Sequence, residues 1–381
     1  MNKRIIILGA TGSIGRSTLD VVRSHPDYFS VVGMTAQRNN DALLALGAEF
    51  PGSSLASNGP AASSSGIHFS GPGAIVDLIK AVEADIVVNG IAGAAGLLPS
   101  LAALEAGADL ALANKETVVM AWPIVARLAA ERKARVIPVD SEHSAVFHLI
   151  GAHGKENLDE IVLTASGGPF RGWTRERLEK VTVSDALAHP TWSMGGKITI
   201  DSATLANKGL EVIEAVRLFD VPAAKVVVVV HPQSKIHSLI RLADGSLYAQ
   251  ISQPDMRVPI HNALFWPECR KTPFGRLELA GHSMTFEEPD GEAFPMLPLA
   301  YQAASRAGLY PTAYNAADEV AVDAFFNRGL RFVDIPAVVA DTLQADWTDG
   351  DESIDSILDG DRRAREAAER FVCARLEGTC C

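Results

Sequence analysis

The run Ile5-Ile6-Ile7-Leu8-Gly9-Ala10-Thr11-Gly12-Ser13-Ile14-Gly15 constrains this chain more than any other segment. Four consecutive branched apolar residues read as a strand buried on both faces. Gly9 permits a tight turn, Gly12 lets a ligand approach the backbone where a helix begins, and Gly15 allows that helix to pack closely on the strand. A helix start presents unpaired amides and the positive end of the helix dipole, which together suit a pyrophosphate. The spacing is G-x-x-G-x-x-G, a variant of G-x-G-x-x-G, and its weight comes from standing directly after a strand. A plain turn without ligand is the alternative.

The first third of the chain continues the rhythm. Apolar runs at 30–36, 85–91, 109–114 and 135–140 alternate with helical patterns, such as Leu97, Leu98, Leu101 and Leu104 within 96–106. Strands alternating with helices imply βαβ crossovers and a Rossmann-like parallel sheet covered on both sides. The Ser-, Gly- and Pro-rich stretch 51–73 reads as a loop interrupting it. Past Asp140 the pattern changes to short β-branched runs at 161–165 and 226–230, a polar helix at 203–219, and a hairpin at 238–252 around Asp244-Gly245. The expected organisation is α/β: a nucleotide-binding domain at 1–139, a central α/β catalytic domain with a mixed sheet at 140–266, a Pro- and Gly-rich connection at 267–298, and a small helical bundle at 299–381.

Of the 381 residues 48% are hydrophobic, and the net charge of -12 argues against a nucleic-acid partner, which requires a basic face. The four cysteines form no C-x-x-C pair, so neither structural zinc nor dithiol chemistry is expected. No apolar run is long enough to span a bilayer and no signal peptide is evident, so the expected location is cytoplasmic.

Which nucleotide binds is read at the end of the second strand. An NAD site places Asp or Glu there for the ribose 2′-hydroxyl; here Gln37, Arg38 and Asn39 follow, and Arg38 suits the 2′-phosphate of NADP(H). Arg38 as a solvated loop charge is the alternative. Further on, Asp140 and Glu142 stand two apart after a strand, where an extended backbone turns both side chains to one face. They read either as hard oxygen ligands for Mg²⁺ or Mn²⁺, or as the acidic first turn of a helix. In Asp201-Ser202-Ala203-Thr204-Leu205-Ala206-Asn207-Lys208-Gly209-Leu210-Glu211 a helix start is expected, with Thr204, Asn207, Lys208 and Glu211 on one face and Ser202 at an N-terminus suited to a phosphate. Gly209 and Asn207 are poor choices for bare helix stability, which weighs against a merely solvated Lys208–Glu211 pair. Ser166-Gly167-Gly168 after a strand offers a hydroxyl and free amides to an anion. The segment 189–197, with His189, Trp192 and adjoining glycines, reads as a lid or as a surface turn.

Taken with residues 92–99, Asn114-Lys115-Glu116, His231-Pro232-Gln233-Ser234, Pro254-Asp255-Met256-Arg257 and Asn315-Ala316-Ala317-Asp318-Glu319, these motifs resemble, in order and along nearly the whole chain, the 1-deoxy-D-xylulose 5-phosphate reductoisomerases of the non-mevalonate isoprenoid route. The resemblance implies that Thr11, Gly12, Ser13 and Ile14 hold the NADPH pyrophosphate, with Gln37, Arg38 and Asn39 by the 2′-phosphate and Asn114, Glu116 and Gly195 also on the cofactor. It implies that Asp140, Glu142 and Glu211 bind a divalent cation (Mg²⁺, Mn²⁺ or Co²⁺). Ser166, Ser202, Asn207 and Lys208 would receive the substrate phosphate with His189, which is also counted as catalytic. Lys115 and Ser141 would contact the reacting part, and Trp192 and Met194 would close over it. The implied chemistry is a retro-aldol rearrangement followed by hydride transfer, by a homodimer. Ala10, Gln37 and Gly196 depart from the family's usual residues. A dehydrogenase without the rearrangement and a nucleotide-binding regulator are the competing readings.

Overall fold

In a computed structural model, residues 2–59, 66–192, 195–306, 308–350 and 352–377 are described. The chain opens as β1 (Lys3–Leu8), α1 (Ser13–Ser24), β2 (Phe29–Ala36), α2 (Asn40–Glu49), β3 (Ser54–Ser57), β4 (Phe69–Ser70), α3 (Ala74–Ala81), β5 (Ile86–Asn89), α4 (Leu97–Glu105), β6 (Asp109–Leu112), α5 (Lys115–Arg132) and β7 (Val136–Pro138). All seven strands form one parallel sheet in the order β4-β3-β2-β1-β5-β6-β7. Ile5, Ile6, Ile7 and Leu8 are fully buried, as a strand with helices on both faces requires. Burying each such side chain contributes about 1.5–3 kcal/mol relative to exposure. The chain leaves β1 in one direction and returns to its other side at β5, so the carboxyl ends of these two strands flank a topological switch point, where ligands gather in such sheets.

The loop expected at 51–73 is corrected. Ser54–Ser57 pairs with β2, and Phe69–Ser70 pairs with β3. Composition hid a strand because Leu55 and Ala56 need only a neighbour's ladder and an apolar cover to be stable there.

After α6 (Ser141–His153) come β8 (Leu158–Ala165), α7 (Arg175–Leu178), α8 (Val183–Ala186), α9 (Gly196–Thr204), α10 (Ala206–Phe219), β9 (Val226–Val230), β10 (Ile236–Leu242) and β11 (Leu247–Ile251). The second sheet is mixed, in the order β11-β10-β8-β9, with the hairpin turning at Gly245 as expected. Then follow α11 (Arg257–Phe265), an irregular stretch bridged to β9 at Glu287, and the helices α12 (Met296–Ser305), α13 (Tyr310–Arg328), α14 (Ile335–Thr342) and α15 (Ile354–Glu377). The almost wholly buried α13 packs on α12, α14 and α15 and forms the spine of this helical layer.

The contacts divide the described residues into two compact units. One comprises the described part of Met1–Thr117 with Pro123–Ser144 and Asp255–Arg276; the other comprises Val118–Trp122, Ala145–Pro254 and the described part of Leu277–Cys381. In the first, α11 packs on α1, and Lys3 Nζ donates to the Leu264 carbonyl at 2.8 Å. In the second, Val162, Ile236 and Leu239 form an apolar cluster beneath the mixed sheet. Among the described residues no helix is long and apolar enough to cross a membrane.

The helix expected at 203–219 is two helices. Leu205 adopts φ 62°, ψ 13°, which ends α9 and starts α10. Asp201 and Ser202 therefore lie in the last turn of α9 rather than at a helix start, and Thr204 does not share a helical face with Lys208 and Glu211. A left-handed leucine is unfavourable on its own and had no local signal. Nor are Asp140 and Glu142 on one extended strand: β7 ends at Pro138, and Glu142 sits in the first turn of α6.

Candidate active site

The nucleotide loop is built as its glycines require. Gly9 has φ +74°, with its amide bonded to Thr35 Oγ1 at 3.0 Å. Gly12 caps α1 with no side-chain bond to the first-turn amides, and that turn carries no acidic residue. Its amides are left for an anion. A Cβ on Gly15 would lie 2.4 Å from both the Gly9 carbonyl oxygen and the Ala10 Cα, so only glycine lets α1 sit this close. Thr11 and Ile14 are half-buried and Ser13 is exposed. Ala10 is fully buried, which accommodates its departure from the family's usual serine.

Gln37, Arg38 and Asn39 follow β2 and are all exposed. Arg38 has no ion pair among the described residues, whereas Asn39 Oδ1 caps α2 by accepting from the Ala42 amide at 3.1 Å. Asn114 is equally committed to structure. Its Oδ1 accepts from the Thr117 amide at 2.9 Å, and its Nδ2 donates to the carbonyls of Ile91 and Gly93 and to Glu116 Oε2. This cap starts α5 directly at the carboxyl end of β6 and so aims Lys115 there. Lys115 Nζ forms a nearly buried ion pair with Asp140, which is also 3.7 Å from the fully buried His143. Ser141 Oγ donates to Glu142 Oε2 at 2.5 Å.

In the second unit the residues expected at the substrate phosphate come together. Gly167 and Gly168 have φ of +82° and +64°, and a Cβ on Gly168 would fall 2.7 Å from the Ser202 carbonyl oxygen. Two glycines thus lay the Ser166 loop on the end of α9. His189 Nδ1 accepts from the amides of Thr191 and Trp192 at 3.1 and 2.9 Å. The ring proton of neutral His189 is therefore on Nε2, which donates to Ser166 Oγ at 3.1 Å. Burial pushes the His189 pKa below that of an ordinary histidine. Trp192 is half-buried and Gly195 is the exposed cap of α9; Met194 lies outside the described residues.

The reversal at Leu205 places Asn207 and Lys208 in the first turn of α10, which has no acidic residue. The helix start suited to a phosphate is this one. Both Asn207 Nδ2 and Lys208 Nζ donate to the carboxylate of Glu211. Lys208 is 4% and Glu211 1% exposed, so this is no solvated surface pair. Asn207 Oδ1 is buried with no hydrogen-bond partner. The awkward Gly209 is explained as well: a Cβ there would lie 2.6 Å from Tyr314 Oη and 2.7 Å from Ala300 Cβ. Tyr314 backs the helix at the residue next to Lys208.

Some of the quoted motifs prove architectural. His231 Nε2 accepts from the amides of Lys235 and Ile236, and its Nδ1 donates to the Thr285 carbonyl at 3.0 Å. Asp255 and Arg257 form a two-pronged pair at the start of α11. Lys197, by contrast, was passed over: its Nζ lies 2.6 Å from Asp201 and 2.9 Å from Asp318. Its only signal in the sequence was a charge beside the Gly195-Gly196 pair.

Three family models match the chain. One, described as 1-deoxy-D-xylulose 5-phosphate reductoisomerase, covers residues 5–122; its C-terminal domain covers 136–219, and the DXP reductoisomerase C-terminal domain covers 251–367. The 1-deoxy-D-xylulose 5-phosphate reductoisomerase of Chlorobium chlorochromatii is 48% identical over 97% of this chain and 100% of its own length. That of Treponema denticola is 44% identical over 99% of both. Among solved structures, the Zymomonas mobilis reductoisomerase in complex with NADPH superposes with a TM-score of 0.89 at 38% identity, covering 98% of this chain and 99% of that one. A DOX-P reductoisomerase in complex with NADPH, fosmidomycin and magnesium has a TM-score of 0.89 at 36% identity, covering 97% and 98%. With its parallel nucleotide sheet, mixed second sheet and helical layer matched along nearly their whole length, this chain belongs to the 1-deoxy-D-xylulose 5-phosphate reductoisomerase family.

Proposed function

We propose that this chain converts 1-deoxy-D-xylulose 5-phosphate to 2-C-methyl-D-erythritol 4-phosphate with NADPH and a divalent cation, using the residues assigned below. The observation that carries the assignment is the buried Asn207–Lys208–Glu211 face of α10. A dehydrogenase without the rearrangement, or a regulator that only binds nucleotide, has no use for a carboxylate and a lysine placed together out of water, where each is costly alone.

Asp140, Glu142 and Glu211 are the cation ligands in this reading, and each offers a hard carboxylate oxygen of the kind Mg²⁺ and Mn²⁺ select. When bound, the cation supplies Lewis-acid stabilisation of negative charge on substrate oxygen and NADPH supplies the hydride. The chain does the rest. The amides of Ser13 and Ile14, with Thr11 and Gly12 beside them, hold the pyrophosphate and Arg38 the 2′-phosphate. Ser166, Ser202, Asn207 and Lys208 hold the substrate phosphate, and His189 presents its Nε2 proton to the same group. Lys115, oriented by Asp140, and Ser141 face the reacting carbons, while Trp192 excludes water from them.

Two results are expected. With 1-deoxy-D-xylulose 5-phosphate and Mg²⁺, NADPH oxidation followed by its absorbance proceeds steadily and stops when the cation is chelated. Turnover that survives chelation is the signature of the plain dehydrogenase and overturns the reading. Separately, Arg38→Ala weakens NADPH binding by about tenfold, the worth of a charge-assisted phosphate contact, and leaves NADH binding unchanged. Equal weakening of both nucleotides in a fluorescence titration removes Arg38 from the 2′-phosphate.

A homodimer is part of the same proposal. The edge strand β11 exposes Leu247 and Ile251 on one face and Tyr248 on the other, beside the unpaired backbone groups of a sheet edge. Such edges are covered in stable proteins, here by the same strand of a second copy.

A further inference from the structure

The helix α13 backs both helices that carry the phosphate-directed residues. Tyr314 closes on α10 at Gly209, beside Lys208, and its hydroxyl donates to the Met296 carbonyl at 3.1 Å. One turn further along, Asp318 accepts from Lys197 Nζ at 2.9 Å, and Lys197 also holds Asp201 of its own helix α9 at 2.6 Å. Asp318 is fully buried and the Asp201 side chain is 4% exposed, so both carboxylates depend on the ammonium between them. Asp201 directly precedes Ser202. At the other end, Lys197 is the first side chain after Gly195 and Gly196, and a Cβ on Gly195 would meet nothing within 4 Å. The Gly195 carbonyl accepts from the Thr199 amide and hydroxyl at 3.1 and 2.8 Å, so α9 is anchored from its cap onward.

An apolar trio would join α9 to α13 at least as firmly, because buried ion pairs are weak sources of net stability. What hydrogen-bonded charges add is direction: one ammonium bonded to two carboxylates allows a single register of one helix against the other. We propose that Lys197 is a positioning residue, which locks α9 onto α13 through Asp201 and Asp318 and thereby sets Ser202 for the substrate phosphate. The proposal rests on the reading of Ser202 given under the proposed function.

Steady-state kinetics of the full-length enzyme test it, with NADPH binding and melting temperature measured alongside. Asp318→Asn keeps volume and an acceptor but loses the charge. It raises KM for 1-deoxy-D-xylulose 5-phosphate by about threefold to tenfold, with kcat little changed and NADPH affinity intact, as expected of a small misplacement of a binding group. Lys197→Met raises KM by at least as much, and the double variant is no worse than Lys197→Met alone because the two share one contact. Val338→Ala, a buried truncation in α14, serves as the stability control: it lowers the melting temperature and leaves KM alone. Unchanged KM in both network variants overturns the proposal, as does an equal rise in KM in the control. Ser202→Ala separates the two levels. If it raises KM while the network variants do not, only the proposal falls; if it leaves KM unchanged, the reading of Ser202 falls and takes the proposal with it.

Discussion

Glu211→Gln abolishes turnover while leaving NADPH binding intact. The substitution preserves length and shape, so α10 has no steric reason to move, although Asn207 and Lys208 donate to different oxygens of Glu211 and the single amide oxygen of Gln accepts from only one of them. What disappears is the negative charge, which does two things. It is one of the three carboxylates assigned to the cation, and removing a ligand from such a set, together with the transition-state charge stabilisation it supports, costs about 10³-fold in kcat or more. It is also the counter-charge of Lys208, which is 4% exposed. Stranding a buried partner costs about 3–5 kcal/mol, so the melting temperature falls as well. Mn²⁺ binding, read by the metal's own paramagnetic signal, distinguishes the two consequences: affinity drops by more than about tenfold if Glu211 is a ligand, and is unaffected if it only balances Lys208. NADPH titration is the internal control, because the loop at Gly9 to Gly15 belongs to the other unit. Turnover within a few-fold of the parent removes Glu211 from the cation site.

The first sheet was readable from sequence because its strands are continuous apolar runs and its glycines answer to steric demands within a few residues. Gly9 needs a positive φ and Gly15 needs an absent Cβ, and both needs are met within the loop that announces them. The strand at Ser54–Ser57 was missed because its stability comes from β2 and not from its own composition. The break at Leu205 was missed for the same reason. Nothing near Leu205 favours a left-handed conformation, and what holds it there is the packing of α9 and α10 against α13.

The candidate site divides along the same line. Residue types and spacing pointed to Lys208 and Glu211, and burial turned an ordinary i, i+3 pair into a costly feature that needs a function. Geometry also added a role. Asn114, expected on the cofactor, has its side chain bonded to five groups of its own neighbourhood, from Ile91 to Thr117. Its contribution to the site is to start α5 where Lys115 meets Asp140. Lys197 and Asp318 are 121 residues apart, and no local pattern could have joined them.

Gly15→Ala is the complementary experiment, with its damage confined to the cofactor. The added Cβ would sit 2.4 Å from the Gly9 carbonyl oxygen and from Ala10 Cα, and 2.6 Å from the Ala10 carbonyl carbon. All three are backbone atoms at the end of a fully buried strand, so no side chain can swing aside. Helix α1 must back away by about an ångström, and overpacking of this kind costs about 1–3 kcal/mol of stability. The amides of Ser13 and Ile14 move with it, and a shift of about 1 Å in a positioned binding group is worth about 10²-fold. NADPH affinity therefore falls by roughly two orders of magnitude. Mn²⁺ affinity holds, because Asp140 follows β7, which β5 and β6 separate from β1 in the sheet. Far-ultraviolet circular dichroism close to that of the parent shows that the fold survives. If Gly15→Ala binds NADPH within a few-fold of the parent, α1 can yield and the loop is not the rigid cradle its contacts describe. If instead Mn²⁺ and NADPH binding fail together while the helix content is intact, the nucleotide and cation ends are coupled through the sheet, and the separation argued from Glu211→Gln fails with them.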